Sequence, residues 1–355
     1  MKYAFSLKNL KIRLFPAGIR CLAAFFLYMC SMSPFLHAAE TGSPQKGMCY
    51  VTWDKNRFGS SDSDESMEKL ASSGVEYIAI CITHFQRSHD STVIERTDRT
   101  PSDKSVIHAI KKAREIGLTV MLKPHIDIID KGDGTYWRAD IGFTREEDWQ
   151  KWFQEYKRFI LHYARMAEEH DVSIFCVGTE LTFSTQKTSE WRDLIKNIRE
   201  VFSGELTYAA NWDNFKNIKF WEDLDYVGID AYFPLSYQSN PSEEELKEGW
   251  EKWKNEITIW HAEINKPVLF TEIGYPSAPN APSAPWQNGS NGNADQEIQA
   301  RCYKAFFETM WDQPWLAGVY WWAWKANIYA GGKHNRHFTP QNKSALQILE
   351  ANYMI

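Results

Sequence analysis

Lys266-Pro267-Val268-Leu269-Phe270-Thr271-Glu272-Ile273-Gly274-Tyr275 opens as a short apolar run, which reads as a buried strand, and ends on a carboxylate just before a glycine. An earlier stretch repeats the arrangement. Val172-Ser173-Ile174-Phe175-Cys176-Val177-Gly178 runs straight into Thr179-Glu180-Leu181. Each Glu stands at the C-terminal tip of an apolar strand. In a barrel of parallel strands that is the face where catalytic side chains collect.

Outward from these two segments, strand and helix patterns alternate along the chain. Strands are read at 47–53, 77–82, 118–122, the Glu180 segment, 206–210, 226–229, the Glu272 segment and 316–324. Helical periodicity or caps mark 61–74, 102–116, 146–170, a helix capped by Thr188 or Ser189, 241–264, 295–311 and 340–351. Eight strands in such alternation predict an α/β fold, a single-domain (β/α)8 TIM barrel over residues 40–355. An open doubly wound sheet would call for G-x-G-x-x-G after the first strand, and none stands there. The 128–143 and 276–293 stretches are long loops on the barrel's C-terminal side, and the aromatic content of the first suits a site wall.

Residues 1–39 read as a secretory signal peptide. Lys2, Lys8, Lys11, Arg13 and Arg20 precede an apolar run from Cys21 to Leu36, then Ala38-Ala39. Ser31, Ser33 and Pro34 interrupt that run and make it short for a membrane span. The expectation is an exported chain at the periplasm, cell surface or medium, without stable membrane insertion. The five basic residues leave with the signal and no acidic one does, so 35 basic residues face 46 acidic ones, a net charge of −11. That balance speaks against a nucleic-acid partner. Four cysteines remain, Cys49, Cys81, Cys176 and Cys302. With no CxxC and no His/Cys metal spacing, they read as small buried residues, and no metal or cofactor is expected.

Polar residues stand at nearly every strand end: His84, Lys123, His125, Glu180, Asn211, Asp230, Tyr232 and Glu272. Cleaving a glycosidic bond takes one carboxylic acid to protonate the leaving oxygen and one carboxylate to attack or assist the anomeric carbon. Strands four and seven lie across the barrel mouth from each other, so their tips can flank one bond. Glu180 is assigned as acid/base, its pKa raised by burial and by the neighbouring charge. Glu272 is assigned as nucleophile, with Tyr232 as its supporting donor. Of the 16 tryptophans, Trp53, Trp212, Trp286, Trp322 and Trp324 are candidates to stack on the apolar faces of sugars. Trp149, Trp152, Trp191 and Trp253 read as core. Trp322 and Trp324 should share one face of their strand and Trp321 the other. His84, Lys123, His125, Asn211 and Asp230 complete the expected substrate-binding set.

Six segments together resemble glycoside hydrolase family 113 in clan A, whose characterised members are mainly β-mannanases. They are Gly47–Trp53, Lys123–Asp127, Val177–Leu181, Asn211–Asp213, Gly228–Leu235 and Phe270–Tyr275, in order along the chain. The resemblance implies a retaining two-glutamate mechanism, with the acid/base at Glu180 and the nucleophile at Glu272. It implies a β-1,4-mannan or manno-oligosaccharide substrate. Two positions depart from the clan pattern. Thr179 stands where many members have Asn before the acid/base. The second strand ends in Thr83-His84 where many keep an Arg beside the nucleophile, with Lys123 as the stand-in charge. The alternatives are a clan A hydrolase acting on another β-glycan and a catalytically silent sugar-binding barrel.

Overall fold

Eight parallel strands close into a ring in the computed structural model, which describes residues 43–289 and 293–355. The segment read as a signal peptide lies outside the described residues. The strands are β1 (Gln45–Val51), β2 (Tyr77–Gln86), β3 (Ile94–Glu95), β4 (Thr119–Ile128), β5 (Ile174–Thr179), β6 (Glu205–Asn211), β7 (Val227–Asp230), β8 (Val268–Ile273) and β9 (Leu316–Lys325). β3 is a two-residue antiparallel partner of β2, outside the ring. The other eight run in chain order around the barrel, and β1 closes it by pairing with both β2 and β9. Glu180 therefore follows the fourth barrel strand, and Glu272 lies near the end of the seventh.

The helices are α1 (Ser61–Ser72), α2 (Asp103–Glu115), α3 (Glu146–Glu169), α4 (Thr188–Arg199), α5 (Glu243–Ile264), α6 (Gln296–Met310) and α7 (Ser344–Tyr353). Side-chain caps at Ser60, Ser102, Ser242 and Asp295 start four of them. Three expectations need correcting. β6 and β7 are joined without an α-helix, by two 3-10 turns at Phe215–Asn217 and Trp221–Asp223 that bury Phe215, Phe220 and Trp221. α4 opens after Lys187 with no side-chain cap, so Thr188 is its first residue. α7 starts at Ser344, not Pro340, because Asn342 takes a left-handed backbone (φ 57°) and Gln341 is tied by its side chain to Lys325 and Asn327.

Period-two alternation splits each strand between two cores. Most inward residues are small or slender, among them Cys49, Ala79, Cys81, Met121, Cys176, Ala209 and Leu269, with Tyr320 and the packed Trp322 as the large exceptions. Outward residues are bulky and meet the helices, where Trp152, Trp191, Trp250, Trp321 and Trp324 are fully buried. The expected core positions Trp149, Trp152, Trp191 and Trp253 all lie in this layer. Trp324 is a correction. Met48 pairs with Trp321 and Tyr50 with Trp324, so β9 carries one extra residue in a β-bulge opposite Cys49. The bulge breaks the alternation and turns Trp321 and Trp324 to the same outer side, leaving Trp322 inside. Trp324 Nε1 donates to the Ser66 carbonyl at 3.1 Å, within the outer core. The four described cysteines are free, buried thiols.

Candidate active site

Bulges at the strand ends aim the polar side chains. Between β7 and β8, Ile229 pairs with Phe270 and Asp230 with Glu272, so Thr271 is the extra residue. Both Thr271 and Glu272 then serve the barrel interior. Thr271 Oγ1 donates to Asp230 Oδ1 at 2.8 Å. Glu272 Oε1 accepts from Lys123 Nζ at 2.5 Å, and its Oε2 accepts from Tyr232 Oη at 2.6 Å. Lys123 Nζ also reaches Asp230 Oδ1 and the Thr271 carbonyl, both at 3.3 Å. Burial works against the charge on Lys123, but Asp230 and Glu272 hold its pKa well above the ordinary lysine value. Lys123 thus supplies, from β4, the positive charge beside Glu272 that no arginine supplies from β2. Burial and then Glu272 push the Asp230 carboxyl upward. The Tyr232 phenol is pushed well up by burial and by Glu272, so it stays a neutral donor.

Glu180 sits in a different setting. It follows β5 with a left-handed backbone, φ 54°. For a residue with a side chain this costs on the order of 1–2 kcal/mol. Two buried hydrogen bonds, each worth about 1 kcal/mol net, offset it: Glu180 N to the Ala209 carbonyl at 2.8 Å, and Leu181 N to Tyr208 Oη at 3.0 Å. Gly178 is required just upstream, since a Cβ there would lie 2.7 Å from Trp191 and 2.8 Å from Tyr208. Glu180 Oε2 accepts from Arg138 Nη1 at 2.9 Å. Burial raises the Glu180 pKa to about 7, Arg138 pulls it down, and Glu272 pushes it up.

His125 Nε2 lies 3.9 Å from Glu272 Oε1 and makes no hydrogen bond among the described residues. Burial, then the charges of Lys123 and Arg138, hold its pKa well below the histidine range, so the ring is neutral. It stacks on Trp322 at 6.0 Å and 11°. Asn211 Nδ2 donates to Thr182 Oγ1 at 2.7 Å, two residues beyond Glu180. Trp212, just past β6, stacks at 5.6 Å on Trp286 from the β8–α6 loop, and Trp286 is exposed. Trp53 stands past β1 with Lys325 Nζ 4.3 Å above its ring.

His84 does not join this group. It faces outward on β2, where its Nε2 bonds to Tyr163 Oη at 2.8 Å and its ring packs on Phe159. Alternation accounts for it, since Ala79 and Cys81 point inward and His84 has the parity of Ile80 and Ile82. Arg138 is the functional candidate that sequence reasoning missed. Its signal is the arginine beside Tyr136-Trp137 in the loop read as a site wall. No cluster of three His, Cys, Asp or Glu side chains among the described residues is arranged to hold a metal ion.

A closed (β/α)8 barrel with two buried glutamates at the tips of its fourth and seventh strands defines a glycoside hydrolase. The chain belongs to Glycoside Hydrolase Family 113, whose model matches residues 49–343. A family 113 β-mannanase from Alicyclobacillus acidocaldarius, in complex with ManMIm, has TM-score 0.80 and 24% identity, over 88% of this chain and 98% of that one. A family 113 β-1,4-mannanase complex matches with TM-score 0.80 and 25% identity, over 88% and 99%. An endo-β-1,4-mannanase from Thermotoga petrophila shares the fold, with TM-score 0.53 and 13% identity over 89% and 77%. No curated protein matches the sequence.

Proposed function

We propose that this glycoside hydrolase is exported and cleaves β-1,4-mannosidic bonds with retention, using Glu180 as acid/base and Glu272 as nucleophile. The observation that carries the reading is the contrast between the two carboxyl groups. Glu272 accepts a hydrogen bond on each oxygen, from Lys123 and from Tyr232, which fixes its orientation. Glu180, with its pKa raised to about 7, keeps a proton to give near neutrality. In the first step a Glu272 oxygen bonds to the anomeric carbon, the glycosidic C–O bond breaks, and the Glu180 proton goes to the leaving oxygen. In the second, Glu180 takes a proton from water, the water oxygen bonds to the anomeric carbon, and the ester to Glu272 breaks. In this reading His125 Nε2, which has no partner among the described residues, and Asn211 would meet sugar hydroxyls, and Trp322, Trp53 and the Trp212–Trp286 pair would stack on ring faces. The mannan substrate is supported by the family and by the mannanases among its structural relatives. Export is supported by the basic-then-apolar pattern of residues 1–39.

Product analysis tests the reading. Mannohexaose, cellohexaose and xylohexaose are each incubated with the protein, and the first products are followed by proton NMR. Expected is cleavage of mannohexaose with the new reducing end appearing first as the β-anomer. Cleavage of only another glycan would replace the substrate, an α-anomer would replace the mechanism, and saturable binding without cleavage would point to a silent barrel. Tyr232→Phe removes the phenol that donates to Glu272 Oε2 and leaves Lys123 on Oε1. It should lower kcat on the order of 10²-fold with little change in KM, and an unchanged kcat would remove Tyr232 from the mechanism.

A further inference from the structure

The 128–143 loop brings a cation to the acid/base. Arg138 Nη1 donates to Glu180 Oε2 at 2.9 Å, and its Nη2 lies 4.0 Å from Asp127 Oδ1. Its side chain is only 18% exposed. The loop that carries it is pinned. Tyr136 stacks on His89 at 3.8 Å, Gly142 N donates to the His89 carbonyl at 3.1 Å, and Trp137 N donates to Asp140 Oδ2 at 3.0 Å. Phe183 covers Gly142 so closely that a Cβ there would lie 2.1 Å from its ring. The guanidinium is thus delivered by an ordered turn, and its fork can hold Glu180 with one arm while the other faces Asp127.

We propose that Arg138 is a positioning residue that biases Glu180 towards its ionised form and so sets the balance between the two half-reactions. The inference rests on the retaining reading above. In the first half-reaction Glu180 must carry its proton, and a charge-assisted bond from arginine opposes that. In the second Glu180 must be a carboxylate to draw a proton from water, and the same bond supports it. The other charged and titratable groups around Glu180 are spoken for. Lys123, bonded to Glu272 and Asp230, adds a weaker pull towards ionisation of Glu180, Glu272 acts against it, and Tyr208 Oη accepts from Leu181 N. Arg138 is the contact whose removal should tilt the balance towards the acid form.

The test compares Arg138→Met and Arg138→Lys with the unaltered protein. The Glu180 carboxyl is titrated directly by carbon NMR of glutamate-labelled protein, with its signal assigned by loss in Glu180→Gln. In Arg138→Met the midpoint should rise by roughly one pH unit or more, with Arg138→Lys between. On an aryl β-mannoside, the alkaline limb of kcat/KM should move up by the same amount, and the burst of released phenol should grow because deglycosylation becomes the slower step. A midpoint that stays or falls would overturn the proposal. A midpoint that rises while limb and burst stay fixed would overturn the role in timing. A risen midpoint in a protein that turns over no mannoside would uphold the hold on Glu180 and sink the substrate reading instead.

Discussion

Glu272→Gln should lower kcat on mannohexaose by roughly 10⁴-fold or more while leaving the barrel folded. The loss follows from the chemistry, since an amide oxygen neither attacks the anomeric carbon readily nor leaves as a carboxylate in the second step. The intact fold is less obvious and follows from the cluster. Removing one partner of a buried ion pair commonly costs about 3–5 kcal/mol because the other charge is stranded. Here Lys123 would not be stranded. Asp230 Oδ1 already lies 3.3 Å from it, and the negative charge of Glu272 is one of the influences pushing the Asp230 carboxyl up. Without that charge Asp230 ionises more readily and takes over the pairing, while the new amide can still accept from Tyr232. Circular dichroism and thermal melting should therefore show a near-native protein with almost no turnover. Near-normal kcat would remove Glu272 from the mechanism. A collapsed fold would show that Asp230 does not compensate.

Period and strand-end chemistry carry most of the architecture, because parallel barrel strands are buried on both faces and helices on one. The Glu180 and Glu272 segments are legible for that reason: an apolar run ending in a carboxylate has few other uses. Sequence and structure part where local backbone geometry overrides period. The extra residue in β9 turns Trp324 to the outside, a bulge that no residue type announces. His84 differs for the opposite cause, since counting parity along β2 from Cys81 already puts it outside, against Tyr163. The Lys123–Glu272 contact is foreshadowed by a missing arginine. The Arg138–Glu180 contact is not, because it joins residues 42 apart through a loop whose path depends on His89 and Phe183. The β6–β7 crossing lacks helical periodicity in the sequence, a local fact that a regular eightfold alternation conceals.

Glu180→Ala should separate substrates by their leaving groups. Mannohexaose, whose leaving oxygen needs a proton, should lose on the order of 10³-fold in kcat/KM, within the usual range for a general acid. A dinitrophenyl β-mannoside, whose leaving group departs unprotonated, should lose far less in that first step. Its intermediate would then wait for a base that is gone, so kcat should be low and should rise with added azide, which attacks without one. The product identifies the residue's role: azide meeting the glycosyl-enzyme gives the β-mannosyl azide, whereas direct displacement on a protein lacking its nucleophile gives the α-anomer. The pH profile supplies the sign. Glu180 is active in the first step as the protonated acid, with its pKa raised to about 7, so kcat/KM of the unaltered protein should fall as pH rises through that value. In Glu180→Ala, measured with the activated substrate, that alkaline fall should vanish because the group that titrates has been removed. An alkaline limb that survives the substitution would assign it to another group, and equal losses on good and poor leaving groups would strip Glu180 of the acid role.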